Sequence, residues 1–193
     1  MPQDNKLKKY GMVIDLRKCV GCMSCSVSCK MENGVSFGVF RSWVNMTEKG
    51  DFPTVKRYYQ PRLCNHCDNA PCVEVCPVKA SYKREDGMVL LDKKKCIGCG
   101  YCVASCPYNA RYMSKTQKVA DKCTFCDHRV DDGGEPACVR NCMGKARIFG
   151  DLNDPNSKVS QLISRNAVQV IKPEKGTKPQ VFYISADFNQ QPK

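Results

Sequence analysis

Sixteen cysteines in 193 residues fall into four groups of four with none left over. Cys19, Cys22, Cys25 and Cys29 are spaced C-x2-C-x2-C-x3-C, and Cys96, Cys99, Cys102 and Cys106 repeat that spacing and are followed by Pro107. Cys64, Cys67, Cys72 and Cys76 run C-x2-C-x4-C-x3-C before Pro77, and Cys123, Cys126, Cys138 and Cys142 run C-x2-C-x11-C-x3-C. This is an internal repeat, and a repeat constrains a fold before any single residue does. Leu, Ile, Val and Phe supply only 39 of the 193 residues. That share lies at the edge of what fills an apolar core, so something besides apolar packing must hold the chain together.

Three chemistries compete for such cysteines. Disulfide frameworks spread their cysteines to close useful loops in oxidising compartments; here neighbours lie two or three residues apart, and bridges within a group would close only trivial loops. Zinc takes four ligands as two knuckles around a longer spacer, and the fourth group taken alone passes equally well as such a site. The first and third groups do not, because three cysteines in seven residues wrap the corner of a cubane better than a tetrahedral ion. The run C-x2-C-x2-C-x3-C-P is the bacterial ferredoxin signature of a 4Fe–4S cluster, in which the fourth cysteine ligates a second cluster. The third group matches it in full and the first lacks only the proline, Lys30 standing in its place. Motifs of this kind work in pairs, so four groups predict four clusters, each of the sixteen cysteines serving once.

The formal charge of +12, from 31 Lys and Arg against 19 Asp and Glu, would by itself suggest a nucleic acid or anionic surface. An oxidised cluster with its four thiolates carries about −2, which brings the loaded chain to roughly +4. Much of the basic excess is therefore counter-charge. The longest apolar stretches, such as Met88–Leu91, stop far short of a membrane span. The N-terminal MPQDNKLKKYG has neither an apolar h-region nor a twin arginine, so no export signal is expected in this chain.

The pattern resembles a known family, the four-cluster electron-transfer "B" subunits of dimethyl sulfoxide reductase-type molybdoenzymes. The resemblance covers nearly the whole chain: YGMVIDLRKCVGC, CNHCDNAPCVEVCP, DGMVLLDKKKCIGCGYCVASCPYNARY, DKCTFCDHR and GDLNDPNSKVSQLI. Within the family the short chain and the spacing of the fourth group look most like the subunits of polysulfide, thiosulfate and arsenate reductases. One departure is Met143-Gly144 after Cys142, where such subunits commonly have proline; it is expected to loosen the local turn without removing a ligand.

The resemblance implies an α+β fold of two ferredoxin-like modules, one inserted in the other, with hairpin insertions and an extended C-terminal tail. The outer module would comprise 1–60 and 114–150, the inserted one 61–113, with a helix and tail over 151–193. It further implies four ligand sets: Cys19, Cys22, Cys25 and Cys142; Cys29, Cys123, Cys126 and Cys138; Cys64, Cys67, Cys72 and Cys106; Cys76, Cys96, Cys99 and Cys102. The Cys19 cluster would face a molybdopterin-containing catalytic subunit, and the Cys96 cluster an integral membrane quinol-oxidising anchor. Such relatives are exported folded with a signal-bearing partner, which implies the periplasmic face of the cytoplasmic membrane. A complex facing the cytoplasm would have the same sequence.

Between the first two groups, Phe40–Asn45 and Thr54–Tyr59 flank a turn at Glu48–Asp51 and read as a hairpin. A second hairpin is expected to join Ala80–Arg84 to Met88–Leu91. Stretches following each third cysteine, such as Ser26–Met31 and Val103–Cys106, read as short helices, and Asp154–Ser157 as a turn and cap before a helix over Lys158–Arg165. The tail Lys172–Phe188 reads as extended, and the resemblance has it embrace the catalytic subunit. His66 and His128 read as neighbours of the clusters or surface residues, because sixteen cysteines already suffice as ligands. Trp43 reads as hairpin packing, Lys93-Lys94-Lys95 as a solvated face or one meeting a membrane subunit, and Tyr108, Tyr112 and Met113 as cover for the inner module. No Ser–His–Asp set, acid/base carboxylate pair or phosphate-binding glycine loop occurs. The reading is therefore a non-catalytic electron-transfer subunit, first of a polysulfide or thiosulfate reductase, with arsenate or another oxyanion as the alternative. A stand-alone polyferredoxin and a zinc-rich binding module are the rival classes.

Overall fold

A computed structural model describes residues 7–185. The apolar run beginning at Tyr10 forms β1 (Tyr10–Asp15), buried from Gly11 onwards. It is the axis of a four-stranded sheet in the order β8–β1–β10–β9, where β8 is Arg147–Asp151, β9 is Val168–Gln169 and β10 is Val181–Ile184. Strands β1 and β10 are parallel, with Met12 opposite Val181 and Ile14 opposite Tyr183; β8 lies antiparallel on the other side of β1. Helix α6 (Lys158–Arg165) covers one face, burying Val159 against Val13, Ile148 and Ile184. Ser157 caps it, its hydroxyl accepting from Ser160 N at 3.2 Å.

The C-terminal segment expected to be extended over Lys172–Phe188 is interrupted by a 3-10 turn at Pro173–Lys175, where proline presets the helical φ. Over Val181–Ile184 it is extended, but it fills the centre of the chain's own sheet, and Tyr183 is fully buried. The alternation that marks a strand is too short there, and too near prolines, to separate it from a frayed end. The portion of that tail from Ala186 to Phe188 lies outside the described residues.

Three two-stranded hairpins complete the strands: β2 (Ser42–Lys49) with β3 (Lys56–Leu63), β4 (Ser81–Lys83) with β5 (Val89–Leu91), and β6 (Arg111–Met113) with β7 (Ala120–Lys122). The first hairpin runs four residues further along both strands than expected. Cross-strand pairs such as Glu48 opposite Arg57, joined at 2.8 Å, carry the ladder into the first two residues of the predicted turn. Trp43 packs there, beneath the Arg62 guanidinium and donating to Asn45 Oδ1 at 3.0 Å.

The remaining helices are α1 (Ser24–Asn33), α2 (Pro71–Glu74), α3 (Tyr101–Ala104), α4 (Asp127–Asp131) and α5 (Ala137–Arg140). Four of them begin before the third cysteine of their group, not after it: Cys25, Cys72, Cys102 and Cys138 all lie within a helix. Pro71 presets the helical φ at the start of α2, as Pro136 does just ahead of α5. Among the described residues no helix is long and apolar enough to cross a membrane.

Candidate metal centre

The four groups share one backbone device. The residue two after the first cysteine is left-handed in every group: Gly21 (φ +69°), His66 (φ +43°), Gly98 (φ +72°) and Phe125 (φ +58°). This folds each C-x2-C loop back so that its cysteines face one side. Glycine adopts that conformation freely, whereas His66 and Phe125 do so at a cost. Those two rings stack face to face, centroids 3.6 Å apart, and both are buried.

A second device closes three of the groups. Three residues past the fourth cysteine, Lys79, Asn109 and Lys145 are left-handed and donate to the carbonyls of Cys76, Cys106 and Cys142 at 3.1–3.3 Å. The backbone then turns toward sulfur: Ser81 N donates to Cys76 Sγ at 3.4 Å and Ala146 N to Cys142 Sγ at 3.2 Å. The turn after Cys142 is therefore as tight as those followed by proline, contrary to the expected loosening. Gly144 permits it, since a Cβ there would stand 2.1 Å from the Lys18 carbonyl oxygen.

Two small, largely enclosed cavities of about 20 Å³ result. Cys19, Cys22, Cys25 and Cys142 line one, with Arg147; Cys64, Cys67, Cys72 and Cys106 line the other, with Tyr108 and Arg111. Each holds three cysteines of one group and the fourth of another. Cys29 and Cys126 meet over Asn33, whose Nδ2 reaches their sulfurs at 3.8 and 3.7 Å. Arg41 orients that amide, donating to Asn33 Oδ1 at 2.8 Å while paired with Asp121, which also accepts from Tyr112 OH at 2.8 Å. Cys123 and Cys138 belong to the same neighbourhood, each thiol electrostatically opposing ionisation of Cys29 or its partners. Around Cys76, Cys96, Cys99 and Cys102, the flanking helices α2 and α3 pack together.

Burial pushes the thiols of Cys29 and Cys67 up to about 12, with neighbouring cysteines adding to it, and raises those of Cys19, Cys72, Cys123 and Cys138 as well. Cys76 goes the other way: the backbone N–H groups of Ser81, Ala80 and Val78 outweigh the desolvation that opposes ionisation. Crowded thiols in dry cavities need a cation to become thiolates. Each cavity is lined by four cysteines drawn from two groups, an all-thiolate donor set that fits an iron–sulfur cluster. Orphaned buried donors also point to a missing anion: Nε and Nη1 of Arg111 and Nε of Arg147 have no hydrogen-bond partner.

His66 is fully buried, so the surface reading fails for it. Val89 N donates to its Nδ1 at 3.1 Å, leaving its proton on an unpartnered Nε2. Desolvation, with Lys122 and Arg111 nearby, holds the ring well below its usual pKa and so neutral. His128 is exposed and lies 2.8 Å from Glu32. Tyr108 covers the second cavity, its hydroxyl bonded to Thr177. Asn33, Arg41, Arg111, Lys122 and Arg147 escape a sequence reading that weighs cysteines and histidines. A signal is present: Arg111 and Arg147 each stand five residues past the fourth cysteine of their group.

Paired C-x2-C loops, crossed cysteines and short helices define a polynuclear ferredoxin-like protein. Two models described as "4Fe-4S dicluster domain" match the chain, over residues 55–152 and 18–80. The B subunit of the tetrathionate reductase of Salmonella typhimurium is 51% identical over 183 residues, covering 93% of this chain and 73% of that protein. The B component of the polysulfide reductase of Wolinella succinogenes is 43% identical, covering 92% and 94%. The arsenate respiratory reductase iron–sulfur subunit of a Shewanella species is 42% identical, covering 91% and 96%. This chain belongs to that family, the iron–sulfur B subunits of respiratory reductases. It is an electron-transfer subunit carrying four 4Fe–4S clusters.

Proposed function

We propose that this chain conducts electrons between a membrane quinol-oxidising subunit and a molybdopterin-containing catalytic subunit that reduces a sulfur–sulfur bond, as in polysulfide, thiosulfate or tetrathionate. The observation that carries it is the exposure pattern of the cysteines. Of sixteen, Cys22 and Cys99 alone are exposed, one in the first group and one in the third. Around Cys22 stand the exposed apolar side chains Val20, Met23 and Met143; around Cys99 stand Ile97 and Tyr101, with Val75 and Val78 on the neighbouring group. Two apolar rims over the two accessible cysteines are docking faces for two partners. A free carrier needs only one.

The ligand sets proposed are the four of the sequence analysis, and they make the second group and the third a module inserted between the first and the fourth. When bound, the clusters supply one-electron carriers; the chain supplies spacing, burial and donors to sulfur. Cys99 marks the quinol side and Cys22 the catalytic side. Reduction of a sulfur–sulfur bond is favoured over arsenate because the tetrathionate relative is 51% identical and the arsenate relative 42%. Placement on the periplasmic face, by export with a signal-bearing partner, belongs to the same reading.

The test is metal analysis of the native protein, purified anaerobically with whatever accompanies it. About 16 Fe per copy of this chain, plus those of a partner's own cluster, and about one Mo or W is the expected result. Full iron without Mo or W overturns the catalytic partner, and oxidation of a reduced dye by arsenate but not by polysulfide, thiosulfate or tetrathionate overturns the substrate class.

A further inference from the structure

Four cations are buried where, among the described residues, no carboxylate answers them: Arg62, 9% exposed, lies on β3 against Trp43, and the other three lie among the cysteine groups. Arg147 is 2% exposed, Lys122 1% and Arg111 4%, and among the described residues none pairs with an Asp or Glu, unlike buried Arg41. A buried charge persists only with a compensating partner. Each of the three reaches two ligand sets, Arg147 directly and Lys122 and Arg111 on one side through a single intervening residue. Arg147 lines the cavity of Cys19, Cys22, Cys25 and Cys142, and its Nη1 donates to Cys138 Sγ at 3.6 Å. Lys122 Nζ donates to the carbonyl of Cys123 at 2.7 Å and to that of Val89, which lines the cavity of Cys64, Cys67, Cys72 and Cys106. Arg111 lines that same cavity, and its Nη2 donates at 2.7 Å to Ser81, whose N–H donates to Cys76 Sγ. With the ligand sets numbered from the Cys19 end, the cations fall at junctions one–two, two–three and three–four.

We propose that Arg147, Lys122 and Arg111 are positioning residues for electron transfer, one per junction, each raising the reduction potential of both clusters that flank it. A loaded site carries about −2 and gains one more negative charge on accepting an electron, so a fixed cation beside it favours the reduced form. In a dry interior that attraction is little screened. A fixed cation at a junction would supply the compensating charge there, so that no proton need move when the loaded chain passes an electron across it. Arg111 and Arg147 each stand five residues past the fourth cysteine of their group, whereas Lys122 differs in type and stands just ahead of Cys123, yet all three occupy junctions between ligand sets. That recurrence is what simple packing of stray basic residues lacks.

The inference rests on the proposed ligand sets, and the test separates the two. The intact complex is prepared with Arg147→Gln, Lys122→Met or Arg111→Gln, its iron is counted, and its four midpoints are followed by anaerobic redox titration with electron paramagnetic resonance. Each variant is expected to retain full iron and to weaken reduction of two clusters about tenfold, or about 59 mV for one electron. Across the three, two midpoints should each move in two variants and two midpoints in one variant only. A second series keeps the cation and adds a counter-charge, Ser42→Asp beside Arg147 (2.9 Å) and Ser81→Asp beside Arg111; it should lower the same pairs. Where a neutral variant loses iron, its aspartate counterpart or the other junctions decide. Full iron with unmoved midpoints, with one cluster moved per variant, or with all four moved alike overturns the inference. Pairs that move in an order other than one–two, two–three, three–four overturn the ligand sets instead.

Discussion

Cys29 and Cys67 show what the residue scale contributes. Burial holds both thiols near 12, so at neutral pH each enters metal binding protonated and must lose its proton to the solvent. The sign follows: iron uptake releases protons and weakens as pH falls. Anaerobic reconstitution of the unloaded chain is expected to proceed several-fold further at about pH 8.5 than at about pH 6.5, read from bound iron. Gly144 is the other residue whose identity is dictated locally. Gly144→Ala would press a methyl against the Lys18 carbonyl, and a destabilisation of about 1–3 kcal/mol is expected. Its signature is early loss of iron from the cavity lined by Cys142, measured as iron retained during thermal unfolding.

Asp68 joins elements that the sequence keeps far apart. It accepts from Lys9 ahead of β1 at 2.7 Å, from Lys83 on β4 at 2.6 Å and from Gln180 ahead of β10 at 3.0 Å. Burial works to raise its pKa, but the bonds from Lys83 and Lys9 outweigh it and hold the carboxyl below its ordinary 3.8. A carboxylate lowered in the folded state adds stability above the ordinary value, and that stability is lost as pH falls through the folded value. Asp68→Asn is expected to cost about 1–2 kcal/mol at neutral pH and to flatten the acid limb of the stability curve. Equal acid slopes in the two proteins would show that the clamp is idle. The hairpin β2–β3 illustrates the limit of local reading at this scale. Its turn residues mark where strands meet, but ladder pairs such as Glu48 with Arg57 decide how far they run.

For the whole molecule, β10 is the decisive element, since it closes the sheet between β1 and β9. A chain ended after Gly176 loses that strand with the fully buried Val181 and Tyr183, and is expected to yield no folded iron-loaded protein. The two apolar rims make a prediction of the opposite kind. Val20 is 62% and Ile97 64% exposed, so Val20→Glu and Ile97→Glu should each change stability by less than about 0.5 kcal/mol. Yet on the proposed function Val20→Glu is expected to release a catalytic subunit and Ile97→Glu a membrane subunit, seen by co-purification with iron content unchanged. Loss of the same partner from both variants would mean that a single face docks.

Cysteine spacing by itself determined the number and type of clusters and the electron-carrying role, because a C-x2-C loop brings its thiols together within a few covalently linked residues. The helices near the third cysteines, the hairpin from β4 to β5 and the capped α6 were legible for the same local reason. What only the tertiary structure decided is non-local. The cross-group cavities unite Cys142 with Cys19 and Cys106 with Cys64. A C-terminal strand lies beside the first strand, and His66 is stacked and buried. Arg111 and Arg147 share a place five residues past a fourth cysteine, while Lys122 carries no such mark; the burial of all three among the cysteine groups is set by how distant segments pack, and a buried cation acts on whatever anion the fold puts within reach.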